Sequence, residues 1–345
     1  MSDSALVSIV IPHYNGSEML KTCLNSLQKT TYPNFNIIIV DNASEDDSVE
    51  MVSAEFPSVE IIRLSSNRGY AGGCNAGIVA AEKSDYIVLF NNDALVEPEW
   101  LSIMVDAMES DDTIAACQPK ILSITNKGYF DYSGAAGGLM DKYAYPFARG
   151  RIIATIEQDK GQYDDKSSIF WASGTACILR NSALEKVGEL DEVFFAHMEE
   201  IDLCWRFRLA GYKIMVVPES TIYHQSGATL SAAAFKKKYL NHRNSILMML
   251  KNYSLSSLFN LFPARIMIES MAMGYSLLTF DFNRFGGILA AFLWILFHPI
   301  YIIKARKRTQ SVRIIDDKEI LSGLYDGSIA LSYYIKGKKT VNDLR

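Results

Sequence analysis

Residues 6–11, 36–40, 59–64 and 86–90 are short β-branched or uniformly apolar runs, and between them lie amphipathic stretches beginning near Ser17, Asp46 and Gly72. Runs of 4–8 apolar residues without alternation predict strands covered on both faces, and the longer stretches predict helices. Strand and helix in repetition predict right-handed crossovers, hence an α/β fold with a mainly parallel sheet and flanking helices.

The strands stop on polar residues. His13-Tyr14-Asn15 follows the first, Asp41-Asn42-Ala43-Ser44 the second and Asn91-Asn92-Asp93 the fourth. Parallel strands put these loops on one carboxyl edge, where open α/β sheets bind ligands. An Asp beside amide oxygens suits a hard cation, Mg²⁺ or Mn²⁺, which binds one or two carboxylates together with substrate phosphates. The expected ligand is therefore a diphosphate. An ordinary turn leading to Pro98 explains Asn-Asn-Asp equally well when taken alone. The glycine-rich run Asn67 to Gly77, with Gly72, Gly73 and Asn75, follows the third strand and opens a helix. Helix-start amides suit an anion, although the run lacks the spacing and the Lys of a P-loop.

Further along, residues 131–150 are rich in Gly and Tyr and read as a mobile or acceptor-facing loop. The stretch from Glu199 to Ala210 has helical spacing with Ile201, Trp205 and Leu209 on one face and Glu199, Glu200 and Asp202 in its first turn. Solvated dipole complementation accounts for Asp202. For Glu199 and Glu200 a general base at a helix start is an equal reading. His224, after a strand at 214–217, reads as a surface His unless a partner is found.

At 345 residues, 49% of them hydrophobic, the chain can bury a large core plus an appendage. A formal charge of -5 argues against a nucleic-acid surface. Five cysteines without C-x-x-C spacing predict reduced, buried thiols in a cytoplasmic setting. The N-terminal apolar stretch is too short for a signal peptide, so most of the protein is expected to face the cytoplasm. Near the C-terminus, apolar stretches at 266–280 and 286–303 flank a short polar segment, and Lys304-Ala305-Arg306-Lys307-Arg308 closes the second. Glu269 and His298-Pro299 interrupt them, so interfacial helices, a shallow hairpin, a full span and a dimerisation pair all stay open. The basic cluster favours the inner leaflet of the cell membrane, and cutting near Asn252 is expected to free a soluble domain.

Seven segments in order, VSIVIPHYN, IIIVDNASED, NRGYAGGCNAG, LFNNDALVEPEWL, SGTACILRNSALEKVGELDEVFF, MEEIDLCWRFRLAGY and YHQSGAT, resemble the family 2 glycosyltransferases of the Rossmann-like GT-A fold. Within them the likeness is to the rhamnosyltransferase-like group that builds bacterial surface polysaccharides. The resemblance implies a catalytic domain over 1–245 and a C-terminal helical, membrane-associated region over 246–345. It implies that Pro12, Tyr14 and Asn15 line a nucleotide pocket, that Asp41 with Asn42 reads the base, and that Asn67, Gly72, Gly73, Asn75 and Asn92 lie against ribose and diphosphate. The metal-binding D-x-D element corresponds to Asn91-Asn92-Asp93, so Asp93 is the dependable ligand, Asn91 a departure, and His224 completes the shell. Relatives carry Glu-Asp where this chain has Glu199-Glu200, which ranks Glu200 first as base and Glu199 second. Lys236 to Asn244 resembles a post-catalytic segment with an Arg-Asn pair.

The implied activity is metal-dependent, inverting transfer of a single sugar, rhamnose among the candidates, from a dTDP- or UDP-linked donor to a glycan or lipid-linked acceptor. No Q-x-x-R-W motif of processive synthases is present. A sugar nucleotidyltransferase and a non-catalytic membrane scaffold remain as alternatives. The first lacks its basic glycine-rich loop after strand one, and the second draws on the Asn91 and Glu200 departures.

Overall fold

The computed structural model describes residues 4–225 and 235–344. Ser226 to Thr229 of the YHQSGAT segment lie outside the described residues. Strands β1 (Val7–His13), β2 (Phe35–Asp41), β3 (Glu60–Arg63) and β4 (Tyr86–Phe90) pair in parallel in the order β3-β2-β1-β4. The crossovers are α1 (Ser17–Leu27), α2 (Ser48–Glu55) and α3 (Gly69–Ala80). All seven residues of β1 are buried, as expected for a strand with helices on both faces. Register pairs His13 with Asp41, which levels the first two loops at one edge.

Beyond β4 the sheet becomes mixed. The chain runs through β5 (Ala94–Val96), α4 (Trp100–Glu109) and β6 (Ile114–Ser123), then a small antiparallel sheet of β7 (Gly138–Met140), β8 (Pro146–Ala148), β9 (Arg151–Ile152) and β10 (Thr155–Ile156). It returns through β11 (Ser167–Ser168), β12 (Ala176–Arg180), α5 (Asn181–Val187), α6 (Glu199–Leu209) and β13 (Lys213–His224). β12 lies antiparallel between β4 and β6, and β13 runs parallel to β6 while pairing antiparallel with β5. Residues 131–150 are thus not a mobile loop: they build part of the small sheet, and Ala135, Ala136, Met140 and Ala148 are core residues. The strand expected at 214–217 extends to His224, which is buried rather than at the surface.

Two glycines of α3 serve packing. A Cβ on Gly77 would come within 2.2 Å of Val10 Cγ1, and one on Gly73 within 2.8 Å of Pro12 Cβ and 2.6 Å of the Asn42 amide. Their absence lets α3 sit directly on β1 and on the loop after β2. Filling such a contact costs about 1–3 kcal/mol.

The expected division after residue 245 falls inside a helix, α7 (Phe235–Asn252). Its Leu247, Met248 and Met249 share the main core with Cys204, Trp205 and Phe207 of α6, so the apolar face of α7 makes it part of the same body as the sheet. Then come α8 (Leu255–Leu278), α9 (Phe282–Phe297) and α10 (Pro299–Ser311), followed by α11 (Asp317–Ser322) and α12 (Ile329–Tyr334). Leu258, Phe262, Trp294 and Tyr301 pack on the main core. A cut near Asn252 would expose that core rather than release a soluble domain.

Helix α8 is inverted relative to an ordinary surface helix. Its buried face carries Arg265, Ile268, Glu269 and Ser276, while Phe259, Met267, Met271 and Leu278 face outward. Arg265 donates to Glu269 at 2.6 Å and stacks on the Tyr145 ring at 3.7 Å, and Glu269 also meets Tyr145 Oη at 2.9 Å and His242 Nδ1 at 2.7 Å. A buried pair satisfied on this many sides is costly to break from one end, about 3–5 kcal/mol. Among the described residues no single helix is long and apolar enough to cross a membrane. The α9–α10 pair has the length and composition but bends by 79° at the interruption read at His298-Pro299.

Candidate active site

The loop after β4 turns Asn91, Asn92 and Asp93 over the carboxyl edge. Asp93 is buried because β5 pairs with the last residues of β13, bringing Ala94 opposite His224. His224 Nε2 lies 2.9 Å from Asp93 Oδ1, and its Nδ1 lies 2.9 Å from Asp131 Oδ1. A carboxylate only accepts, so Nδ1–H donates to Asp131 and the other ring nitrogen faces Asp93. Asn91 Nδ2 approaches the same Nε2 at 3.2 Å. Apart from the approach of His224, Asp93 Oδ1 is buried with no partner among the described residues. Two facing lone pairs at 2.9 Å need a cation between them. A proton can serve: burial pushes the His224 imidazole down most strongly, but Asp131 and Asp93 together override it and raise it to about 9.

A divalent metal fits the same position. The donor set is one carboxylate oxygen and one imidazole nitrogen oriented by a second carboxylate, with the Asn91 amide beside them presenting its nitrogen, and an outer carboxylate on the far ring nitrogen is the usual way a ligating His is held. Among the described residues no three His, Cys, Asp or Glu side chains form a ready metal cage. Mg²⁺ and Mn²⁺ commonly take their remaining ligands from substrate phosphates and water.

The second chemical centre is the start of α6. Phe195, His197 and Met198 have φ of 63°, 71° and 73°, a left-handed backbone costing about 1–3 kcal/mol per residue. Helix α7 holds this turn in place. Asn244 Nδ2 reaches the carbonyls of Phe194, Ala196 and His197 at 3.0, 3.0 and 2.7 Å. Arg243 donates to Val193 O and Phe194 O, its guanidinium between the rings of Tyr239 and Trp294. Glu199 and Glu200 follow, each with a buried Oε2 that has no hydrogen-bond partner. Burial, then repulsion from Glu200, holds the Glu199 carboxyl well above its usual range. Burial raises Glu200 only to about 7, because the backbone at Gly174, Met198 and Ile201 favours its charged form. Both carboxyls are thus held above the usual carboxylate range.

The segment Gly174-Thr175 joins the two centres. Thr175 O accepts from Asn91 N at 2.9 Å, Gly174 adjoins the Glu200 carboxyl, and Gly174 O accepts from Tyr70 Oη of the glycine-rich run. Ala71 N meanwhile donates to Phe195 O at 3.2 Å. The β4 loop, the start of α3 and the start of α6 therefore meet.

Other sequence-derived candidates have varied settings. Pro12 is buried under Gly73, and Tyr14 is an exposed rim residue. Asn15 (φ 55°) accepts from Glu45 N, tying the first two loops together. Asp41 is buried and accepts from Ser44 N at 2.9 Å. Asn42 bridges Arg68 N and Gly69 O, Asn67 accepts from Gly69 N, and Gly72 packs over Arg68. Asn75 exchanges hydrogen bonds with Leu190, so its amide ties α3 to the segment before α6. Asn92 Nδ2 meets His13 Nδ1 at 2.7 Å. Asp202 is not a solvated helix-start charge: it is fully buried against Arg206, Lys251 and Asn252. Nor does α6 bury one face only, since Leu203, Cys204 and Phe207 are core residues too. Sequence reading missed Asp131 and Tyr70, whose partners lie 93 and 104 residues away. All five cysteines are buried and free, as expected.

Comparison with known proteins follows the same lines. The family described as Glycosyl transferase family 2 matches residues 8–188. An N-acetylglucosaminyl-diphospho-decaprenol L-rhamnosyltransferase of Mycobacterium tuberculosis is 22% identical over 72% of this chain and 85% of its own. Glycosyltransferase GlyG of Streptococcus pneumoniae is 24% identical over 67% and 75%. Among solved structures, GalNAc-T7 with UDP, GalNAc and Mn²⁺ superposes with a TM-score of 0.62 at 16% identity, over 88% of this chain and 58% of that one. The mannosyltransferase PcManGT of Pyrobaculum calidifontis, with GDP-Man and Mn²⁺, gives 0.51 at 12% identity, over 90% and 86%. The architecture is thus the GT-A glycosyltransferase fold.

The Asp93–His224 arrangement predicts that Asp93→Ala abolishes Mn²⁺-dependent binding of UDP or dTDP, read by calorimetry, while the protein melts as wild type. Unchanged metal-dependent binding would remove Asp93 from the site.

Proposed function

We propose that this chain, which belongs to glycosyl transferase family 2, is an inverting, metal-dependent glycosyltransferase. It moves a single sugar from a dTDP- or UDP-linked donor to a hydroxyl of a glycan or lipid-linked acceptor in cell-surface polysaccharide synthesis. The observation that carries this reading is the meeting of the Asp93–His224 pair and the Glu199–Glu200 pair through Gly174-Thr175. Rhamnose as the sugar draws support from the name of the Mycobacterium tuberculosis relative, which also describes a lipid-diphosphate acceptor.

Each side chain then has a task. Pro12, Tyr14, Asn15, Asp41 and Asn42 border the nucleotide, and the start of α3, braced by Asn67 and Asn75, faces its ribose and diphosphate. Asp93 and His224, with Asn91 beside them, would hold Mg²⁺ or Mn²⁺, which would supply Lewis-acid neutralisation of charge on the leaving diphosphate. Glu200, in its ionised form, accepts the proton of the acceptor hydroxyl as that oxygen attacks the anomeric carbon from the face opposite the diphosphate. Such base catalysis supplies about 10²–10⁴-fold. The Phe195–Met198 turn fixes where Glu200 stands.

The acceptor argument extends to the membrane. Exposed Phe259, Met271, Leu278, Phe280, Phe282, Leu289, Leu293, Leu296, Phe297, Ile300 and Ile303 gather on α8, α9 and α10 and their junctions. An outward apolar face on a helix pinned inward by Arg265 and Glu269 suits an acyl-chain environment, with the helices lying in the inner leaflet of the cell membrane. Lys304, Lys307 and Arg308 are exposed and reach anionic headgroups, whereas Arg306 donates to Leu250 O and Tyr253 O and acts in the fold.

Glu200→Gln should lower transfer about 10²-fold or more with nucleotide binding intact. In the wild type, kcat should fall as pH drops below about 7, because Glu200 becomes protonated. Both glutamates titrate above their unfolded values, so the stability they contribute is present in acid and is lost as pH rises, through about 7 for Glu200 and in the same direction for Glu199. Glu199→Gln should accordingly raise Tm at pH 8. If Glu199→Gln proves inactive and Glu200→Gln active, the base is Glu199.

The full chain should float with vesicles containing anionic lipid. Lys304→Glu, Lys307→Glu and Arg308→Glu together should weaken that attachment by about 1 kcal/mol per residue. A chain that stays with the aqueous phase as a dimer buried through α8 and α9 would refute the lipid contact.

A further inference from the structure

The buried basic residues are Lys120, Arg149, Arg151, Arg206, Arg243, Lys251 and Arg265. Lys120 pairs with Asp159 and Asp164, Arg149 with Asp165, Arg206 with Asp202, Lys251 with Asp191 and Asp202, and Arg265 with Glu269. Arg243 has no acid but makes hydrogen bonds to Asn244, Val193 and Phe194. Arg151 differs from all of these. It is 7% exposed, and among the described residues its buried Nε has no partner and its one hydrogen bond is a 3.5 Å contact to Ile153 O. Among the described residues no carboxylate forms an ion pair with it.

Its position is built, not accidental. Gly150 (φ +95°) turns so close to Phe130 that a Cβ would lie 2.5 Å from the ring, and this sends Arg149 toward Tyr163 and Arg151 toward Tyr132. The Arg151 guanidinium stacks on Tyr132 at 4.6 Å. Tyr132 is 45% exposed and directly follows Asp131, the carboxylate that holds His224 beside Asp93. A buried guanidinium with no ion pair among the described residues, and only the longer-range attraction of Asp131, is unfavourable for folding, and its planar fork is the shape that binds phosphate oxygens in pairs.

We propose that Arg151, backed by Tyr132, binds a diphosphate at the edge of the Asp93–His224 centre, either that of the donor nucleotide or that of a lipid-diphosphate acceptor. The proposal rests on the glycosyl-transfer reading of that centre.

The test uses the full chain and the variants Arg151→Met and Arg151→Gln. Inorganic pyrophosphate and UDP are titrated by calorimetry with Mn²⁺ present, KM is measured separately for the nucleotide sugar and for a lipid-diphosphate acceptor, and Tm is recorded. Both variants should melt at or above the wild-type temperature, since a buried charge without a partner has been removed. A loss of about tenfold or more in pyrophosphate and UDP affinity assigns the donor diphosphate. Unchanged UDP binding with an acceptor KM raised by a similar factor assigns the acceptor diphosphate. Wild-type values of all four quantities in a folded variant would overturn the proposal, as would a lower Tm with unchanged anion binding and KM. If the wild type transfers no sugar from any donor, the functional reading fails on its own, and pyrophosphate titration still decides Arg151.

Discussion

The Asn244 amide, reaching the carbonyls of Phe194, Ala196 and His197, is the constraint on which the candidate centre depends. Those carbonyls belong to a turn with three residues at positive φ, a conformation the sequence would not choose unaided. Released from Asn244 and Arg243, the turn has every reason to relax, and the first turn of α6 would carry Glu199 and Glu200 with it. Because Asn244 lies in the middle of α7, and α7 is locked in the core by Leu247 to Met249, core packing is transmitted directly to the position of two carboxyl groups.

The same helix links this centre to the C-terminal helices. Arg243 lies under Trp294 of α9, and Tyr301 of α10 donates to Asp191, the residue that opens the segment leading to the turn. Lys251 closes a network between Asp191 and Asp202. The acidic pair is thus bounded by contacts from α7, α9 and α10. An apolar outer surface and a charged inner one leave these helices fastened to the rest of the chain through Arg265 and Glu269.

The parallel half of the sheet was legible in the sequence because each strand is an apolar run and each crossover a helical period, both local properties. The polar strand ends were legible for the same reason, and so was the acidic start of α6. What escaped was non-local. Nothing near Asp131 announces that its carboxylate meets His224, and nothing in a glycine run says whether the missing Cβ makes room for a ligand or, as at Gly73 and Gly77, for a neighbouring strand. The boundary expected after residue 245 failed because composition changes there while the core does not: α7 looks basic and aromatic at its start, yet its later turns are buried. Asp202 looked solvated because its partners, Lys251 and Asn252, come from another helix.

The central claim is that Glu200 activates an acceptor hydroxyl for attack on the face of the sugar opposite the diphosphate held near Asp93. The most direct test is the anomeric configuration of the first product, read by NMR before mutarotation, from whichever nucleotide sugar and acceptor the wild type turns over. The account predicts a configuration inverted relative to the donor. A product that retains the donor configuration would contradict it.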